Sequence, residues 1–362
     1  MGSHSKEKEK KMANEFFQEE SQEDKSGYRD PGDKYTLREN AQLIFEGKQP
    51  EYYFDFMDTL AFIPDPEFIA DLPMPNGEEH VDRWGVTRIW LPGAPGAHPH
   101  ITDENKVIKN IENWREEIIL PEIEGLDWSA AVAVAESTNR KGYNVALFMP
   151  AGLFETSHFL MGMEDAFCNY MEEPELMKEM LTAIADWKMR YMEEVAKHVK
   201  IDVVFFQDDW GSKQNLFLPP DTWRELIKPL HTKIVEKAHE LGWFFVHHAD
   251  CICEPIAKDM VDMNIDIWQG VIPQNDIVAI QKATEGKLAM IGGIDGPKLD
   301  VDSTTDEEAR AEVHRAVDTY CAAGRFYPGI ANGTCFIERI DKAVKDELHT
   351  YGAQYAKEHP VA

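Results

Sequence analysis

The run Phe244-Phe245-Val246-His247-His248-Ala249-Asp250-Cys251-Ile252-Cys253-Glu254-Pro255 begins as an apolar strand and ends in a cluster of potential metal ligands. His248 and Asp250 are one residue apart, so on extended backbone both side chains point to the same side and can grip one ion. The pair reads either as two zinc ligands or as a buried histidine beside a turn aspartate. Cys251 and Cys253 have the same spacing, but Glu254-Pro255 reads as the start of a helix, where cysteine behaves as a small hydrophobe. Cys335 ends the loop Gly329-Ile330-Ala331-Asn332-Gly333-Thr334-Cys335, where a thiol is either exposed or a ligand. Cys168 and Cys321 fall in helical patterns and read as core.

Other polar groups follow apolar runs in the same way: Gly152-Leu153-Phe154-Glu155, Gln207-Asp208-Asp209-Trp210-Gly211, and Gly292-Gly293-Ile294-Asp295. Glu155 is a candidate metal ligand, a general acid or base, or a carboxylate favoured by a helix N-terminus. Asp208 and Asp209 point to opposite sides of an extended chain, so one is expected to face a pocket while the other anchors the loop. Phe154, Trp210, Trp84 and Trp90 can box a planar substrate, with ordinary core packing as the default for each. Asp295 is a further candidate substrate contact.

The elements that must position these groups alternate along the chain. Apolar runs at Val145–Phe148, Val203–Phe206, Phe244–Val246, Ile265–Trp268, Ala289–Ile291 and Arg325–Tyr327 read as strands, and continuous apolar character is expected of strands buried on both faces. Amphipathic helices separate them, most clearly Glu175–Lys197, where Leu176, Met180, Ile184, Trp187, Tyr191 and Val195 recur at helical spacing. Thr36 followed three residues later by Glu39 predicts a capped helix that Gly47 stops. This βα alternation predicts a (βα)8 TIM-type barrel over residues 34–362, with polar groups after the strands at its catalytic face. Residues 64–99, rich in Pro and Gly, are expected to form a lid-like excursion over that face, and residues 1–33 a polar, disordered N-terminal tail.

Composition sets outer bounds. The net charge of -29 excludes nucleic acid and anionic membrane surfaces as main partners. No stretch approaches the length of a membrane span, and the N-terminus is charged where a secretory signal is apolar, so a soluble, cytoplasmic protein is expected. Five cysteines in a chain of this length argue for free thiols or metal ligands over a disulfide framework. Dinucleotide and P-loop fingerprints after a strand are absent from the sequence.

Taken in order, Thr36-Leu37-Arg38-Glu39-Asn40 with Gly47-Lys48-Gln49-Pro50, Gly152–Glu155, Gln207–Gly211, Leu216–Pro229, the His248 segment ending in Glu254-Pro255, and Gly292–Asp295 resemble the uroporphyrinogen decarboxylase superfamily. The resemblance runs from about Tyr35 to the C-terminus. That superfamily holds decarboxylases and zinc-dependent, corrinoid-linked methyltransferases on (βα)8 barrels. The decarboxylases' arginine-rich Arg-Gln-Ala-Gly-Arg segment has no counterpart here, so the methyltransferase branch is the closer resemblance. Its thiol-methylating members carry a His-x-Cys zinc motif and a late cysteine. Alignment through Glu254-Pro255 sets His248 on the histidine and Asp250 on the cysteine, and the late cysteine falls near Ile330, short of Cys335.

The resemblance implies zinc held by His248 and Asp250, with Glu155 and Cys335 as candidates to complete the set. Aspartate in place of cysteine leaves a harder, more Lewis-acidic metal that favours an oxygen substrate. The expected activity is O-demethylation of a methoxylated aromatic, with the methyl group passing to Co(I) of a corrinoid protein. Methyl transfer from a corrinoid to a thiol, a decarboxylase and a noncatalytic small-molecule binder are the alternatives.

Overall fold

The computed structural model describes residues 26–361 apart from Asp71 and Pro95. A helix, Leu37–Phe45, comes first. Its Thr36 side chain accepts from the Glu39 amide while the Glu39 carboxylate accepts from the Thr36 amide, the capping box that the sequence predicts. Strand β1 (Leu60–Phe62) follows, and then an excursion holding a three-stranded antiparallel sheet of β2 (Glu79–Val81), β3 (Thr87–Ile89) and β4 (His98–Pro99). The remaining strands are β5 (Asn144–Met149), β6 (Val203–Gln207), β7 (Phe244–His248), β8 (Ile267–Val271), β9 (Ala289–Ile294) and β10 (Phe326–Ile330).

β1 and β5 to β10 form one curled parallel sheet in which each strand pairs with the next in sequence. Helices cross back between them, among them Pro174–His198, Lys228–Glu240, Asp306–Tyr320 and Glu338–Glu358. Between β10 and β1 the ring position is filled by Tyr52–Thr59. There Phe54 and Phe56 meet the Tyr327 ring edge-on at 6.4 and 5.2 Å, and the Asp55 carboxylate lies against Gly329 where no Cβ would fit. The chain is thus a TIM-type barrel with seven strands among its described residues and an irregular segment in the eighth place.

Helix Leu37–Phe45 covers the end of the barrel where the strands begin: Tyr327 Oη donates to the Ala41 carbonyl at 2.7 Å, and Phe45 packs on Phe244. Residues 1–25 of the expected tail lie outside the described residues. Residues 26–33 are not tail-like. Arg29 stacks over Tyr52 at 3.5 Å, Asp30 pairs with His349 at 2.9 Å, and Gly27 accepts the Leu37 amide. No described helix is long and apolar enough to cross a membrane.

Strand alternation separates two environments. Phe206, Phe245 and His247 face the helices, where His247 stacks on Trp210 at 3.9 Å and Phe206 meets His231 of helix Lys228–Glu240. Phe205, Gln207, Val246, His248 and Gln269 therefore face the barrel interior, in register across β6, β7 and β8.

Candidate metal centre

β6 and β7 end side by side, with Gln207 opposite His248, and their next residues supply the chemistry. Asp209, His248 and Asp250 each offer a ligand atom, and these atoms all lie within 4.8 Å of one another. Two hydrogen bonds fix the group. Asp209 Oδ1 accepts the Asp250 amide at 3.0 Å. His248 Nδ1 pairs with Gln269 Oε1, and because that oxygen can only accept, the proton sits on Nδ1 and the Nε2 lone pair is left free. Gln269 is itself oriented by donating Nε2 to the Ala331 carbonyl at 3.3 Å.

The two adjacent aspartates divide their roles as strand alternation requires. Asp208 is fully buried and accepts the amides of Leu153, Phe154 and Glu155 at 3.0, 3.2 and 2.9 Å and Trp210 Nε1 at 2.9 Å. It thereby caps helix Leu153–Met161 from a neighbouring strand. Its approach is so close that a Cβ at position 152 would overlap its carboxylate, so only glycine fits there. Burial still raises the Asp208 carboxyl to about 6, against the pull of these donors. Asp209, the partner on the opposite side, faces the metal-ligand group. Burial raises its pKa, Asp250 adds to the rise, and His248 opposes it.

The anchored helix start buries Glu155 against Gln207, and Glu155, a ligand candidate from sequence, is not among the grouped ligand atoms. Glu155 is buried, Gln207 Nε2 reaches its Oε1 at 3.5 Å, and Oε2 has no hydrogen-bond partner. Burial first, then the charges of Asp209 and Asp208, hold its carboxyl well above the usual range. Lys213 Nζ pairs with Asp250 Oδ1 at 2.8 Å and also donates to the Asp250 carbonyl. Lys188, buried in the helix Pro174–His198, donates to the Ala151 carbonyl at 2.6 Å. Burial lowers its amine to about 8, opposed by Glu67, Asp208 and Glu155. Beside it, burial lifts Asp65 to about 7, and Trp84 Nε1 donates to Glu67 at 3.3 Å.

Several residues proposed from sequence lie elsewhere. Cys335 Sγ rests 3.9 Å from the Gly296 carbonyl, its amide donates to Asp341, and it has no place among the grouped ligand atoms. Burial pushes its thiol up to about 12, which disfavours the thiolate a metal needs. Phe154 is buried among Phe167, Tyr170 and Phe217, and Trp210 is buried against Trp223, His231 and His247; both are core on the helix side. Asp295 caps Lys298 and accepts from Gln274 Nε2 at 3.0 Å. Trp84 packs on Trp187. Cys251 and Cys253 are buried with sulfurs 3.5 Å apart, as the packing alternative expects, whereas Cys168 is exposed and not core.

Gln269, Lys188 and Lys213 were not picked out from the sequence. Lys188 carries a readable signal: it stands in the helical stripe Leu181, Ile184, Tyr191, Val195, where a core side chain belongs.

Residues 124–335, more than half of the chain, match the uroporphyrinogen decarboxylase (URO-D) family. The chain belongs to that family. No curated protein sequence matches it. Its fold is similar to that of a methyltransferase from Methanosarcina mazei, with a TM-score of 0.61 and 14% identity, covering 88% of this chain and 99% of the other. A 3-keto-D-glucoside 4-epimerase from E. coli matches at a TM-score of 0.34 and 13% identity over 60% of this chain and 82% of its own, too distant to bear on the fold.

Proposed function

We propose that this URO-D family member is a zinc-dependent methyltransferase that removes the methyl group of an aryl methyl ether and passes it to Co(I) of a corrinoid carried by a partner protein. The observation that carries the reading is the convergence of Asp209, His248 and Asp250, with the His248 tautomer set by Gln269. Imidazole and carboxylate donors suit zinc, and Glu155, buried with one unpartnered oxygen, stands outside the grouped ligand atoms as a candidate acid. Zinc held by these groups supplies Lewis acidity that stabilises negative charge developing on an ether oxygen as its bond to methyl breaks.

The chain's own residues set up the rest. Asp208 holds the helix start that carries Glu155, Gln207 and Gln269 orient Glu155 and His248, and burial shifts the Glu155 carboxyl toward its protonated form. A neutral Glu155 can hydrogen-bond to, and finally protonate, a phenolate leaving group. The oxygen and nitrogen character of the grouped ligands favours an oxygen substrate over a thiol, which sulfur-rich ligation serves better. The M. mazei protein of like fold is a methyltransferase, in keeping with this branch of the family.

The test mixes purified, zinc-loaded protein with cob(I)alamin as methyl acceptor and a panel of methoxybenzenes. Growth of the methylcobalamin spectrum with stoichiometric release of phenol is expected. If phenol is never released from any member of the panel, the reading fails.

A further inference from the structure

The barrel interior next to the grouped ligands is walled by phenylalanines. Phe148 of β5 lies in register with Phe205 of β6, and Phe62 of β1 sits two residues lower on the same face. The ring centroids of Phe62 lie 6.3 Å from Phe148 and 5.7 Å from Phe205, and Phe148 lies 5.9 Å from Phe205. Phe68, in the short helix Pro66–Ala70 beyond β1, closes on Phe148 at 5.3 Å. The wall continues directly into the metal-ligand group, because the Phe205 ring stacks at 30° on the His248 imidazole with centroids 5.6 Å apart.

Two features separate this wall from ordinary core. Phe62, Phe68 and Phe148 each keep part of their surface open, unlike Phe206 and Phe245, which face the helices and are fully covered. Phe62 and Phe68 also meet Phe148 nearly perpendicular, at 84° and 85°, a geometry in which one ring of each pair presents only its edge and keeps its own faces clear of that contact. An open, apolar, aromatic surface that stops at a cluster of ligand atoms fits a ligand with a flat uncharged body and one polar end.

We propose that Phe62, Phe68, Phe148 and Phe205 form the seat for the substrate's aromatic ring, holding it so that an attached oxygen reaches Asp209, His248 and Asp250. This rests on the methyl ether reading above and adds the specificity element: the wall selects a flat ring over a saturated one of equal size. Phe154, Trp210 and Trp84 have no part in the seat.

The full chain, with and without zinc, is titrated calorimetrically with anisole and with methoxycyclohexane. The seat predicts anisole at least about tenfold tighter, and weakening of anisole binding by about five- to thirtyfold in F148A and in F68A with zinc stoichiometry unchanged. Phe68 lies outside the barrel sheet, so F68A tests the seat even where F148A does not fold. Equal affinities for the two ethers, or wild-type anisole binding by F68A, would overturn the seat even if zinc binds. Ring preference without any zinc binding would support the seat while removing the metal from the reading.

Discussion

Replacing Gln269 by leucine tests the second hydrogen-bond layer behind the proposed metal site. Gln269 is not itself among the grouped ligands, yet its Oε1 is the partner of His248 Nδ1 and its Nε2 is held by the Ala331 carbonyl. Leucine is of similar size but accepts nothing, so His248 is free to rotate and to move its proton to the nitrogen that should bind. Loss of such a partner costs about 10- to 100-fold in metal affinity, equivalent to about 1.4–2.8 kcal/mol. The buried Ala331 carbonyl, left without its donor, adds a stability cost of about 1–3 kcal/mol that affinity does not report. Q269E keeps the acceptor and should hold zinc within about threefold of wild type by the same oriented-imidazole argument. Competition with a fluorescent zinc chelator gives the dissociation constants, and thermal melts of the metal-free variants give the separate stability term. Wild-type affinity in Q269L, or equal losses in Q269L and Q269E, would refute the idea that Gln269 acts by fixing the tautomer.

Lys213 must release the Asp250 carboxylate when a cation binds, and its half-exposed ion pair is worth about 0–1 kcal/mol, so K213A should bind zinc up to about fivefold tighter at low salt. The gain should shrink in about 0.5 M sodium chloride, and the chelator competition reads both. C335S and the double change C251S/C253S should keep zinc stoichiometry within error by mass spectrometric metal analysis; loss of zinc in either would favour the thiol methyltransferase alternative. His231 is buried without a ring hydrogen bond, and burial, reinforced by Lys188, lowers its pKa from 6.5 to about 3. A depressed histidine contributes stability that is full above the unfolded value of 6.5 and is lost as pH falls toward 3, about 2 kcal/mol of it by pH 5. Urea melts of metal-free protein at pH 7 and pH 5 should therefore show a smaller acid loss in H231F, by about that amount; parallel losses would show that His231 does not govern the acid limb.

The parts of this molecule that were legible in sequence are those set by short-range rules. The Thr36 to Glu39 capping box is such a case, because a cap is made within one turn. The strands of β5, β6, β7, β8, β9 and β10 were legible because burial on both faces leaves a continuous apolar run, although β8 begins two residues after the expected Ile265 and extends to Val271. Gln269 was missed for that reason: it lay one residue past the expected strand end. β1 escaped because Leu60-Ala61-Phe62 is too short to show a period, and with it went Phe62. The division of labour between Asp208 and Asp209 followed from the two-residue period alone. Phe154 and Trp210 were misread because an aromatic next to a strand end can turn to either side of the sheet, and only helix packing decides which.

The placement of charge at the strand ends explains why the site calls for a cation rather than a further anion. Glu155, Asp208, Asp209 and Asp250 converge within three adjacent βα junctions, a costly arrangement away from bulk water. Asp208 is offset by its four N–H donors and Asp250 by Lys213, so each has a local partner. Asp209 has the Asp250 amide, the His248 ring and, more weakly, Lys213 against it, and Glu155 has one unpartnered oxygen; both are left above the usual carboxylate range. A dication beside Asp209 and Asp250 would offset their mutual repulsion, whereas a substrate carboxylate would add to it. The decarboxylase members of the superfamily meet substrate carboxylates with arginines, and the cations acting on this cluster, Lys188 and Lys213, are already engaged by Ala151 and Asp250. If Asp250 stands where the resemblance sets a cysteine, these electrostatics work against polyanionic substrates and accord with the proposed metal and its neutral oxygen ligand.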